Sequence, residues 1–222
     1  MPAYVAVPDA RPTRGVVVLQ EAFGVNEHIR DVTRRLADAG YHAVAPALFH
    51  RSGAPELGYG DPTLIRPHMA AVTLAGVRTD VGASLQYLAD AGYELQRTAV
   101  VGFCMGGSAA LIAAVDEKLG AAVTFYGGGI ASGRFGSDPL PELASRLQTP
   151  WLGLYADEDP MIPIEEIEQL REGAAGAPVS TELVRYAGVG HGFNCDVRSS
   201  YNAAAATDAW GRTLAWLDTN LG

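Results

Sequence analysis

The sequence predicts an α/β domain in which a mostly parallel central sheet carries helices on both faces. Short β-branched runs alternate with longer segments of helical period, the order that builds parallel strands joined by right-handed crossovers. Apolar residues make up 48% of the chain, enough to fill a sheet covered on both sides. Its 222 residues suit one such domain with one core. No internal repeat, low-complexity tract or linker divides it, so residues 1–222 read as a single domain.

The elements follow in order. Val16 to Leu19 reads as a buried strand. His28 to Ala39 reads as a helix, because Ile29, Val32, Leu36 and Ala39 recur at helical spacing and Gly40 ends it. Tyr41 to Ala45 is a strand stopped by Pro46. The Gly/Pro-rich stretch from Ser52 to Pro67 reads as surface loop with short helical pieces, and the sequence leaves open whether it is a lid. Val77 to Ala91 is a helix with Val81, Leu85 and Leu88 on one face. Thr98 to Val101 is a strand, Ser108 to Val115 a small-residue helix, and Ala121–Tyr126 and Pro150–Tyr155 two more strands. Ile164 to Arg171 is helical, Thr181 to Tyr186 a strand, and Ala203 to Leu217 the last helix.

Charge narrows the partners. The net charge is −9, from 16 Lys+Arg against 25 Asp+Glu, and Lys118 is the single lysine. No basic cluster exists to grip a nucleic-acid backbone or an anionic membrane surface. An anionic small substrate needs local arginines. Two cysteines, Cys104 and Cys195, in a chain of this length suggest a reducing compartment. The N-terminal residues lack the pattern of a signal peptide, and no apolar run reaches membrane-spanning length, so a cytoplasmic location is expected. The oligomeric state is not legible.

The strongest signal is Gly102-Phe103-Cys104-Met105-Gly106-Gly107 between a strand and a helix. It is the nucleophile-elbow pattern with Cys in place of Ser. A Cβ two residues before the nucleophile, or two or three after it, would collide with the crossing chain. The following helix aims its positive end at the sulfur, which favours a thiolate. The N–H of Met105 is a candidate oxyanion donor. The structural alternative is a buried cysteine in a helix-packing glycine motif. A dinucleotide site is disfavoured, since no Gly-x-Gly-x-x-Gly opens the chain.

A cysteine nucleophile needs a base, and the base an orienting acid. Asp157 and Asp159 both follow the strand ending at Tyr155, on the rim that carries the nucleophile. Asp159 is favoured because Asp-x-x-Ile-Pro puts it in the turn before Pro163; a solvated turn carboxylate is the alternative for either. His191 lies in Gly188-Val189-Gly190-His191-Gly192-Phe193, a glycine-rich loop that lets an imidazole reach over the sulfur. His28, His42, His50 and His68 lack such a setting and are expected at the surface or incidental. No histidine pair has metal-ligand spacing, so neither metal nor cofactor is expected. Glu21, in Gln20-Glu21-Ala22-Phe23-Gly24-Val25-Asn26, follows the first clear strand. It reads either as a solvated strand end or as a buried carboxylate that takes the Cys104 proton when substrate arrives. The N–H of Ala22 is the second oxyanion candidate. Phe23 and Phe103, which flank these residues, are candidate substrate contacts.

Four motifs in one order resemble the dienelactone hydrolase family: Gln20–Asn26, Gly102–Gly107, Asp159–Pro163 and Gly190–Phe193. Cys104 to Asp159 spans 55 residues and Asp159 to His191 spans 32. The resemblance implies an α/β-hydrolase fold, no cofactor, Cys104 as nucleophile, His191 as base, Asp159 as its partner and Glu21 as the carboxylate that helps form the thiolate. The family's best-known members open dienelactone to maleylacetate and hold the substrate carboxylate with arginines. Arg198, seven residues after His191, is the candidate here; in those members the loop arginine comes sooner, where Cys195 stands in this chain. Arg78 and Arg66 are further candidates for a second clamp, each also readable as a surface residue.

Cysteine also narrows the ester. A thiolate, of pKa about 8.5 in the reference state, leaves a tetrahedral intermediate more readily than an ordinary alkoxide. Alkyl esters therefore mostly revert, whereas enol or aryl esters acylate the enzyme. The expected substrate is a small activated ester or lactone. The alternatives are a broader carboxylesterase, a non-catalytic lactone-binding shell, and a thiol sensor bridging Cys104 and Cys195.

Overall fold

The computed structural model describes residues 1–10, 12–60 and 62–222. Seven strands form one sheet: β1 (Ala3–Ala6), β2 (Arg14–Leu19), β3 (Tyr41–Pro46), β4 (Thr98–Phe103), β5 (Ala121–Phe125), β6 (Trp151–Ala156) and β7 (Thr181–Tyr186). Their spatial order is β1-β3-β2-β4-β5-β6-β7. Every neighbouring pair is parallel except β1 with β3. β3 to β6 are buried at every position, which is why their sequences read as unbroken apolar or small-residue runs.

Helices cover both faces. On one, α1 (Glu27–Asp38) and α7 (Ala203–Leu221) meet where the Arg35 guanidinium lies 4.0 Å above the Trp210 ring. On the other, α3 (Leu74–Asp90), α4 (Met105–Asp116), α5 (Leu140–Ala144) and α6 (Ile164–Ala175) pack in succession. α4 is buried from Met105 to Ala114, so its small side chains let it sit directly on β4 and β5. α1 starts where Asn26 accepts a hydrogen bond from the Ile29 N–H, and turns Ile29, Val32 and Leu36 inward as their spacing predicts.

The chain goes from β2 outward to β3 and then returns to the other side of β2 as β4. The crevice between β2 and β4 is thus the switch point at which open α/β sheets bind ligands. Leu19 is level with Gly102. The turns that carry Glu21 and Cys104 therefore leave the sheet side by side.

Several expectations change. β1 was not anticipated: it is a four-residue edge strand with every second residue exposed. The Ser52–Pro67 region holds a 3₁₀ turn at His50–Ser52, an irregular stretch, and α2 (Pro62–Ala70), which accommodates Pro67 internally; Asp61 lies outside the described residues. α3 begins at Leu74 because Thr73 caps the Gly76 N–H. His28 and His42 are buried, not at the surface. His42 packs edge-on to Tyr87 and Tyr93, and His28 edge-on to Phe103. His50 bonds Asp80 and His68 bonds Ser52, both half-buried. Among the described residues no helix is long and apolar enough to cross a membrane.

Candidate active site

β4 enters its turn with Cys104 at φ 52°, ψ −115°, a left-handed conformation that a side chain seldom adopts. Backbone contacts impose it. The Cys104 N–H donates to the Phe125 carbonyl at 2.9 Å, and the Gly106 N–H to the Gln20 carbonyl at 3.0 Å. The chain is so close that a Cβ on Gly102 would sit 1.9 Å from Gly106 O, one on Gly106 2.2 Å from Leu19 O, and one on Gly107 2.7 Å from Phe125 O. Those are the three glycines of the sequence motif. Cys104 is part-exposed at the N-terminus of α4, where unsatisfied N–H groups favour negative charge. The N–H groups of Met105 and Ala22 have no backbone acceptor among the described residues.

The two later rim loops meet at a buried pair. His191 Nδ1 is 2.5 Å from Asp159 Oδ2, and Asp159 Oδ1 accepts the Met161 N–H at 2.8 Å. Asp157 turns away, into an ion pair with Arg185 at 2.7 Å, so the carboxylate in the proline turn is the one that meets the histidine. Burial alone would depress the His191 pKa. The hydrogen bond that Nδ1–H donates to Asp159, together with the nearby Cys104 sulfur, outweighs burial and raises it to about 9. Nε2 is left to face the Cys104 sulfur, which interacts with the ring without a close hydrogen bond. Tyr126, just past β5, packs edge-on to the His191 ring at 5.0 Å and helps hold its plane.

Glu21 is fully buried, not solvated. Its burial raises its pKa, against the opposing charges of Arg198 and His191. Arg198 Nη1 is 3.5 Å from Glu21 Oε1, and the guanidinium lies 5.7 Å from the Phe23 and Tyr59 ring centres. Gly192 makes room for it, since a Cβ there would sit 2.2 Å from Arg198 Nη1. Phe23 and Tyr59 pack at 4.4 Å, and the Leu57 N–H donates to the Phe23 carbonyl at 2.9 Å. The segment around residues 55–59 is therefore pinned to the Gln20–Asn26 turn.

Other expectations fail. Phe103 is fully buried and stacks on Phe125 at 4.6 Å, so it supports the turn from below instead of touching substrate. Arg78 forms a two-armed ion pair with Asp116, and Arg66 is exposed on α2; the structure brings neither to Cys104. Tyr59 and Tyr126 were missed, though Tyr126 ends a strand on the reactive rim. His28 and Cys195 were missed as neighbours of Glu21: one donor atom from each of the three lies within 4.8 Å of the others.

This sheet order, with a cysteine at the sharp turn after β4 and an Asp–His pair on later rim loops, is that of an α/β-hydrolase. The chain belongs to the dienelactone hydrolase family, whose model matches residues 1–221. An Escherichia coli K12 protein named "Putative carboxymethylenebutenolidase" is 40% identical over 220 residues, 97% of this chain and 81% of that one. The solved "Putative Dienelactone Hydrolase" of Klebsiella pneumoniae superposes with a TM-score of 0.90 at 39% identity, covering 98% of this chain and 92% of the other. A dienelactone hydrolase-like promiscuous phosphotriesterase from metagenomic libraries gives a TM-score of 0.78 at 27% identity, covering 95% and 88%.

Proposed function

We propose that the protein hydrolyses a small activated ester or lactone, of the carboxymethylenebutenolide type that its relatives' names specify, through Cys104, His191 and Asp159. The observation that carries this is the buried Asp159–His191 pair beside a cysteine held at positive φ on a helix N-terminus. Cys104 Sγ attacks the carbonyl carbon, and the oxyanion is held by the N–H groups of Met105 and Ala22. The ring C–O bond breaks, His191 hands its proton to the departing enolate, and a thioester on Cys104 remains. Water then attacks that thioester while His191 takes its proton, and the departing Cys104 thiolate recovers its own proton from Glu21 as the carboxylate product is released. Asp159 fixes the His191 tautomer and supports its charge.

Arg198 is the group that would receive a substrate carboxylate. Such a ligand competes with Glu21 for the guanidinium. A Glu21 released from Arg198 while still buried is a stronger base, able to take the Cys104 proton as substrate arrives. Phe23 and Tyr59 flank Arg198 and would shape that end of the pocket.

The test is to trap the acyl-enzyme with an aryl ester and locate it by peptide mass. The adduct is expected on the peptide containing Cys104, and labelling elsewhere would sink the reading. Phenyl esters should be cleaved far faster than ethyl esters of the same acid; equal kcat/KM would instead favour a broad carboxylesterase. A binding shell would turn over neither.

A further inference from the structure

Glu21 also faces a second set of donors that hydrolysis does not use. His28 comes from the first turn of α1, and Cys195 from the loop after His191. An imidazole nitrogen, a sulfur and a carboxylate oxygen converge there, each within 4.8 Å of the other two. Glu21 is 0%, Cys195 0% and His28 7% exposed. His28 Nε2 is buried without a hydrogen-bond partner among the described residues, and Glu21 Oε2 has no close one, its nearest candidate being the Tyr126 hydroxyl. Buried polar atoms are seldom left so, and this imidazole comes from a different element into one cluster with the Glu21 carboxylate and the Cys195 sulfur.

The donor set selects the ligand. Thiolate, imidazole and carboxylate suit a borderline-soft cation such as Zn²⁺ and disfavour Mg²⁺ or Ca²⁺, which take oxygen shells. Tetrahedral zinc holds such donors about 3.3–3.8 Å apart, so small side-chain rotations close the site. His28 lines a cavity of ≈ 200 Å³ with Asp31, Asn194 and Asp196. Asp196 gives that cavity an acidic wall, while Asp31 is shared between Arg34 and Arg35 and Arg35 lies over Trp210.

We propose that Glu21, His28 and Cys195 form a binding site for Zn²⁺ and related soft divalent cations, and that its occupation silences the hydrolase by tying up Glu21. Only the silencing rests on the role given to Glu21 under Proposed function. Bonds form from the metal to the thiolate, the imidazole and the carboxylate, with water completing the shell. The Cys195 proton, and any on Glu21, pass to solvent. The hydrogen bond that Cys195 donates to Tyr59 at 3.3 Å is lost. No electron is transferred.

The experiment titrates chelator-treated protein with Zn²⁺ and with Cd²⁺, following the thiolate-to-cadmium absorption and aryl-ester hydrolysis. The wild-type chain should bind one ion, show the thiolate band and lose activity in step. Cys104→Ala should bind equally well, because its thiol is not a ligand. Cys195→Ser should lose the band and His28→Gln should weaken binding about 10²-fold, while both hydrolyse the ester and resist inhibition by Zn²⁺. Two variants guard against a folding failure in one, and thermal melts identify it. Loss of binding in Cys104→Ala would place the metal on the reactive thiol and overturn the site, as would absence of uptake by folded wild-type protein. Stoichiometric binding with undiminished hydrolysis would overturn the silencing and Glu21's catalytic role, and leave the site standing.

Discussion

The two cysteines occupy opposite environments on the same rim. Cys104 is part-exposed and held by backbone alone: three glycines, two carbonyl contacts and the start of α4. Cys195 is fully buried and held by side chains, its sulfur bonded to Tyr59 and facing Glu21 and His28. Burial raises the Cys195 pKa, which keeps its proton in place. Thiol chemistry at the first is set by a local turn. At the second it is set by residues from three distant segments.

The comparison breaks most sharply by deletion. Cys104→Ala should lower kcat/KM for an aryl ester by on the order of 10⁴-fold or more. Cys195→Ala, assayed alongside without added metal, should stay within about threefold of wild type. A comparable loss from both would abolish the contrast. Next, Asp159→Asn should cost about 10²–10⁴-fold, because the His191 tautomer is no longer fixed, while Asp157→Asn should be nearly silent in the same assay.

Two stability measurements sharpen it. Gly106→Ala should lower the unfolding free energy by about 3 kcal/mol or more, since its Cβ meets backbone that cannot yield. Denaturant titration reads this directly. Then comes pH. The folded pKa of His191, about 9, exceeds the usual histidine value of 6.5, so the folded state holds that proton more tightly. Its contribution, about 3 kcal/mol, is complete below pH 6.5 and lost as pH rises through 9. Hydrolysis should decline over the same upper window, as the proton for the leaving group disappears. Denaturation and initial rates at pH 7 and pH 10 would check both.

What was legible in the sequence follows the same division. The inner strands are buried at nearly every position, so composition alone marks them, whereas β1 is short, half-exposed and at an edge. Short helical pieces were expected up to Pro67, but the internal proline hid the run of α2 on to Ala70, and α5 was hidden by its five-residue length. Cys104, Asp159 and His191 stood out because each sits in a turn whose backbone demands particular residues. Phe103 misled because adjacency to Cys104 along a strand places it on the core side, against Phe125. Tyr59 and Cys195 could not be paired from sequence, since 136 positions separate them and nothing local marks either. The same holds for His28, which shares its inward helix face with ordinary core residues.

The dihedral angles of Cys104 carry one more consequence. They are the mirror image of ordinary extended backbone, a region in which glycine rests comfortably and any side chain is crowded. A chain freed from the need to react would therefore drift toward glycine at this position. The Cys104→Gly protein should withstand more urea than Cys104→Ala, by about 1 kcal/mol, though neither can turn over an ester. A reactive atom at so uncomfortable a bend is a stability cost that the proposed turnover would explain.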